Sequence, residues 1–338
     1  MTDSGEAGVP VYGAEDAATL QEPKRSPLKF VLRILVGVAV VAVLVLRTPD
    51  REQLLDALRR ADPAWVSLAA SAILVGVATS AARWSAYLDA LEIPMPFATT
   101  LRLYFVGTFF NAFLPSGMGG DAYKALRIGK AHGAYTPGLA SVFLDRFAGF
   151  VALAGIGLIG ALVELIAGEQ LNVARVSAVL SLGMIGAASL VLFAGERLLG
   201  GGRLVKMHGI GGKLRAAVRA IQAAARHREA AGRGYLFGLL FQVLVLAYHL
   251  ALGRALGLGA ISIAGMTGIV VVASLAALVP LSPGGLGFRE AAYVWAFGAF
   301  GVDHATALAF ALLVLAILLT SSAVGGVIYV IAGGELRR

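Results

Sequence analysis

Apolar residues run along this chain in long blocks, and polar residues collect in the gaps between them. Several blocks reach the roughly 20 residues that a helix needs to span the hydrocarbon core of a bilayer. The first, about 28–46, follows Lys24, Arg25, Lys29 and Arg33. Cations flanking a first span place the N-terminus on the cytosolic side. Residues 47–62 mix four basic and four acidic groups, with Leu54, Leu55 and Leu58 at helical spacing, which predicts a short amphipathic helix on the outer face. A second span, about 64–82, then returns the chain to Arg83-Trp84 on the inside.

The run 97–114 breaks at Leu114-Pro115-Ser116-Gly117-Met118-Gly119-Gly120-Asp121, and Lys124, Arg127 and Lys130 follow. If this run crossed the membrane fully, those cations would lie outside. So would the nine Lys and Arg of 197–233, after two further spans at about 139–167 and 176–195. That outcome opposes the positive-inside bias. A pair of half-helices over 97–130 that enters and returns puts both basic stretches inside, and it is the preferred reading. The second half offers spans at about 234–256 and 260–281, and a break from Pro280 through Glu290. A short apolar helix at 291–302 and a long run at 305–332 follow.

The fold class is therefore all-α. The chain reads as a polytopic membrane protein of about six to eight spans, including two re-entrant segments broken by Gly and Pro. A polar tail at 1–27 is expected to be disordered. A membrane domain covers 28–334, with halves at about 28–195 and 234–334 around a basic cytosolic loop at 197–233. A cytosolic tail, 335–338, ends it.

Composition sharpens this picture. Of 338 residues 58% are hydrophobic and only 14% charged, and mean hydropathy is +0.82. A soluble domain carries roughly 25% charged residues, so a cytosolic enzyme is excluded. The net charge of +8 reads as topology and contact with anionic lipid. Nucleic acid is not expected as a partner, because the cations flank apolar spans. Cysteine is absent, and the five histidines show no metal-ligand spacing, so neither metal nor cofactor is expected.

The two breaks resemble each other, and they lie about half the chain apart. Each combines Pro, Ser and a Gly-Gly pair, then leads into a helix that opens with charge. Paired interruptions at matching places in two halves point to a transporter binding site; two unrelated loops are the alternative. Helix N-termini behind glycines suit a lipid phosphate. Gly119, Gly120, Gly284, Gly285 and Gly287 are expected to offer N–H groups, with Pro115 and Pro283 breaking the helices. Lys124, Arg127, Arg146 and Arg289 would neutralise the anion, and Asp121, Asp145 and Glu290 would hold those cations. Blander roles stand beside these. Asp121 suits an N-cap, Lys124 and Arg127 suit snorkelling to the interface, and Asp145-Arg146 suits an interfacial pair. Partners of Arg146 with Asp121, and of Asp145 with Arg289 or Lys124, are conceivable. His249, seven residues from Gln242, suits a neutral hydrogen bond between helices.

Asn111 through Asp121, with Lys124 and Arg127, resembles the first signature of the lysylphosphatidylglycerol synthase transmembrane region, or flippase-like domain. Ser141–Phe150 and Pro283–Glu290 resemble the other two, and Arg83-Trp84 is a weaker match. The resemblance covers nearly all of the chain from about residue 28. Members of that family join such a domain to a soluble one that transfers an aminoacyl group from tRNA to phosphatidylglycerol. Here the sequence ends just past Gly333-Gly334, so the resemblance implies translocation of a membrane lipid without its synthesis. Stand-alone relatives are linked to polyprenyl-phosphate sugars and other envelope lipids, which leaves the cargo open. It also implies a bacterial-type inner membrane, and the family's signature residue Asn111 joins the expected lipid site. The alternatives are a membrane enzyme acting on polyprenyl-phosphate sugars and an accessory subunit of an envelope-lipid synthase.

Overall fold

The computed structural model of the chain describes residues 27–113, 119–132, 135–167, 170–200, 228–279 and 281–332, together with 218 and 222. The expected polar tail, Pro115 with the middle of the first break, most of the basic loop and the terminal arginines lie outside the described residues. Those described form helices and turns without strands.

The helices are α1 (Pro27–Leu46), α2 (Arg51–Arg60), α3 (Pro63–Ala90), α4 (Phe97–Phe113), α5 (Gly119–His132) and α6 (Tyr135–Ala167). They continue with α7 (Leu171–Gly200), α8 (Arg228–Ala255), α9 (Ile263–Ala276), α10 (Phe288–Ala299) and α11 (His304–Ile331). Five are long and apolar enough to cross a membrane: α3, α11 and the segments Pro137–Ala167, Leu171–Gly195 and Glu229–Ala255. The chain is a multi-pass membrane protein.

Local chemistry sets several boundaries. Asp50 caps α2 by accepting from the Gln53 N–H at 3.1 Å, and Asp62 caps α3 just ahead of Pro63. Ser262 and Asp303 cap α9 and α11 through the N–H groups of Gly265 and Thr306. Each cap gives a partner to an N–H that the helix itself cannot satisfy. The amphipathic α2 buries Leu54 against Ala305 and Leu308 of α11, while Arg51, Glu52, Arg59 and Arg60 stay exposed.

The main core joins α3, α8, α9, α10 and α11 through Ile73, Leu252, Ile269, Phe297 and Phe310. A second core joins α3, α4 and α5 through Trp84, Leu88, Leu103 and Ile128. Large apolar side chains such as Phe193 and Ile166 face outward, as a lipid-facing surface requires.

Two pairs of short helices, α4–α5 and α9–α10, each stand in chain order between two long ones, α3 and α6 in the first case and α8 and α11 in the second. At 1.5 Å rise per residue their members of 17, 14, 14 and 12 residues are each shorter than a roughly 30 Å hydrocarbon core. Glycine makes the approaches inside them. A β-carbon on Gly120 would overlap the Gly107 carbonyl of α4, and one on Gly325 of α11 would overlap the Phe105 carbonyl on another side of α4. The second break is a 3-10 turn, Pro283–Gly285, followed by Gly287 with φ +86. It packs against α4 and α1.

Three sequence expectations change in detail. The second span does not end at residue 82: α3 runs to Ala90, so Arg83 lies inside the bundle and is 4% exposed. The apolar run 260–281 is a shorter helix, α9. Asp121 is not an N-cap, because α5 begins at Gly119 and the Asp121 carboxylate turns sideways to Arg146.

Candidate functional site

A cavity of about 430 Å³ lies at the centre of the bundle. From the first broken region come Asn111, Asp121 and Lys124, and from α6 come Asp145 and Arg146. From the second broken region comes Arg289. Arg83, Tyr104, Gln242, Tyr248, Tyr293, Ser321 and Ser322 are among the other polar residues of the wall.

Five of these charges form a continuous chain. The Arg83 Nε donates to Asp145 Oδ1 at 2.7 Å. Lys124 Nζ stands 3.6 Å from Asp145 Oδ2 and 3.5 Å from Asp121 Oδ1. Arg146 donates to Asp121 Oδ2 from Nε at 2.8 Å and from Nη2 at 2.7 Å. Helical spacing explains the partners. Asp145 and Arg146 are neighbours on α6, so they point about 100° apart and each pairs across to another helix. The Tyr104 hydroxyl adds a 2.9 Å bond to Asp145 Oδ2. Lys124 also lies over the rings of Tyr104 and Trp84, at 4.2 and 4.9 Å. Trp84 is fixed by donating to Ser141 Oγ at 3.1 Å.

Arg289 is held differently. Glu290, wholly buried, accepts from the Gly287 N–H at 2.6 Å and from Arg289 Nη2 at 2.7 Å. The carboxylate folds back over the start of α10 and fixes the neighbouring guanidinium at the cavity wall. With Glu290 included, the site has four cations and three carboxylates, an excess of one positive charge. Arg146 is its most open member, with 41% of its side chain exposed.

Other expected residues fall elsewhere. Arg127 is half-buried and does not line the cavity. Pro283, Gly284 and Gly285 form the turn before α10, while Gly119 and Gly120 start α5. The N–H groups of Gly120 and Gly287, expected to face a phosphate, are already used: Gly120 donates to Asn111 Oδ1 at 2.8 Å, and Gly287 to Glu290. Those two N–H groups are therefore not free for an anion, whereas side-chain cations line the cavity. Arg289 does not meet Asp145; its carboxylate partner is Glu290.

Sequence reasoning placed Arg83 at a membrane edge, although a charge inside an apolar helix of 28 residues is itself a signal of function. The cavity also contains Tyr104, Tyr248 and Tyr293, which no motif marks. His249 donates from Nδ1 to the Val245 carbonyl at 2.7 Å, which leaves Nε2 to accept from the Tyr293 hydroxyl at 2.6 Å. Tyr293 is thereby fixed beside Arg289. Among the described residues no group of His, Asp and Glu is arranged to hold a metal ion.

The family profile described as lysylphosphatidylglycerol synthase TM region matches residues 30–325. A curated relative, a UPF0104 membrane protein of Methanothermobacter thermautotrophicus, is 25% identical over 298 residues, covering 81% of this chain and 87% of that one.

Proposed function

Since the chain belongs to the lysylphosphatidylglycerol synthase transmembrane-region family, we propose that it carries an anionic lipid headgroup between membrane leaflets through the central cavity. One observation carries this reading: charged side chains beside both broken helix pairs line one cavity in a bundle whose outer surface is apolar. Charges inside a membrane domain are costly, and they concentrate where substrate passes.

The excess of one cation matches a lipid phosphodiester, which carries one negative charge. Arg146, the most open cation, receives the phosphate at the mouth of the cavity. Arg289 meets it from the second half, while Lys124 and Arg83 stay fixed by their carboxylates. The acyl chains remain in lipid, since a space of about 430 Å³ suits a headgroup and not two tails. The α4–α5 pair enters from the cytosolic side and α9–α10 from the opposite side, each too short to cross. Rocking of one half against the other then opens the shared site to each leaflet in turn. The N-terminus is cytosolic, and the membrane is the plasma membrane.

The test uses proteoliposomes containing the full chain and a fluorescent lipid, with external quencher reporting its leaflet. The reading expects translocation of labelled phosphatidylglycerol above protein-free vesicles, and its loss in Arg289→Glu. Equal rates with and without the protein would overturn it.

A further inference from the structure

The three carboxylates of the charged site are not held alike. Asp145 uses both oxygens, Oδ1 toward Arg83 at 2.7 Å and Oδ2 toward the Tyr104 hydroxyl at 2.9 Å. Glu290 also uses both, Oε2 toward the Gly287 N–H and Oε1 toward Arg289. Asp121 differs. Its Oδ2 accepts from both Nε and Nη2 of Arg146, while its Oδ1 is buried without a hydrogen-bond partner.

A second cation stands beside that unused oxygen. Lys124 Nζ is 3.5 Å from Asp121 Oδ1 and 3.6 Å from Asp145 Oδ2, both beyond the roughly 2.7–2.9 Å of a charge-assisted hydrogen bond. Unused donors on Lys124 thus face unused lone pairs on Asp121. The two residues are three apart on α5, so they share a face of the helix. Rotation about the Asp121 side-chain bonds brings them together without moving α5.

The two cations that compete for Asp121 differ in access. The Lys124 side chain is 3% exposed and that of Arg146 is 41% exposed, and both line the cavity. Asp121 itself is buried, and a buried carboxylate without a counter-charge is costly. It leaves Arg146 only for another cation, and Lys124 is the one within reach.

We propose that Asp121 is an exchange residue: it pairs with Arg146 until an anionic headgroup takes that cation, then turns to Lys124, and it displaces the headgroup by turning back. This rests on the reading of the cavity as an anionic-lipid site given above. The chain Arg83–Asp145–Lys124–Asp121–Arg146 holds three cations and two carboxylates, so one phosphodiester balances its charge in the exchanged arrangement. A carboxylate that competes with the cargo for Arg146 lowers the cargo's apparent affinity and assists its release. A carboxylate that only held Arg146 in place would raise that affinity. The two roles therefore give opposite signs for the loss of Asp121.

The experiment titrates the purified full chain in detergent with phosphatidylglycerol, and separately with phosphatidylcholine, read by native mass spectrometry. Asp121→Asn keeps the shape of the side chain and removes its charge. It is expected to tighten phosphatidylglycerol binding about threefold or more, and to slow transfer of labelled phosphatidylglycerol in proteoliposomes. Asp121→Ser is read in the same way should Asp121→Asn fold poorly. The gain must depend on Arg146: added to Arg146→Gln, Asp121→Asn brings no tightening, whereas a general effect of charge would persist. Unchanged or weaker binding in Asp121→Asn, faster transfer, or equal tightening in the Arg146→Gln background would overturn the exchange and leave the anionic-lipid site standing. A wild type that holds both lipids alike would overturn that site and the exchange with it.

Discussion

The guanidinium of Arg83 meets the carboxylate of Asp145 at 2.7 Å across 62 positions of sequence, and both side chains are almost fully withdrawn from solvent. Removing one partner of such a pair strands the other charge, typically at about 3–5 kcal/mol. Arg83→Ala is therefore expected to lower stability by about that amount, tempered by the Lys124 and Tyr104 contacts that Asp145 keeps. Thermal melting of the purified protein measures it. A melting temperature equal to wild type would show that the pair does not hold α3 to α6.

Gly120 is where α5 touches α4, and Gly183 of α7 has open space where a β-carbon would stand. Gly120→Ala must push two backbones apart, and overpacking of this kind costs about 1–3 kcal/mol or more. Gly183→Ala meets nothing and gains helix propensity. Expression level and melting temperature should fall for the first and hold or rise for the second. The reverse order would contradict the close packing of the first broken pair.

Tyr293 donates to His249 Nε2 at 2.6 Å in the core beside Arg289. Tyr293→Phe keeps the ring and removes the donor, leaving a buried acceptor unsatisfied at about 1–3 kcal/mol. Chemical or thermal unfolding should show that loss. A stabilised variant would mean that the bond does not form.

Lys124 and Arg127 are three apart on α5, yet only Lys124 lines the cavity. Losing Lys124 leaves Asp121 and Asp145 short of one counter-charge beside the headgroup, and a penalty of about 1.4 kcal/mol or more makes Lys124→Ala slow lipid translocation at least about tenfold. Arg127→Ala should leave the rate nearly unchanged. Flux measured in proteoliposomes decides, and equal losses in both variants would remove Lys124 from any special role.

The all-helical membrane architecture was legible because apolar blocks of spanning length have few other uses. The second interruption was legible at Pro283–Glu290, where Pro and a Gly pair end an apolar block; the middle of the first, 114–118, lies outside the described residues. What the sequence hid depends on contacts far apart in the chain. Arg83 looked like the end of a span because nothing local announces Asp145, 62 positions on. Asp121 suited a helix cap as well as a pair with Arg146, 25 positions away, and only the folded chain selects the pair. The glycine N–H groups looked free because a break does not say that Asn111 and Glu290 will occupy them.

Native mass spectrometry of the full chain, equilibrated with equal amounts of phosphatidylglycerol and phosphatidylcholine, tests the shared cavity most directly. Preferential retention of the anionic lipid by wild type is expected. Arg289→Glu and Arg146→Glu, one on each half, should both abolish that preference, whereas Arg127→Glu should retain it. Equal retention of the two lipids by wild type, or an unchanged preference in Arg289→Glu, would contradict the account.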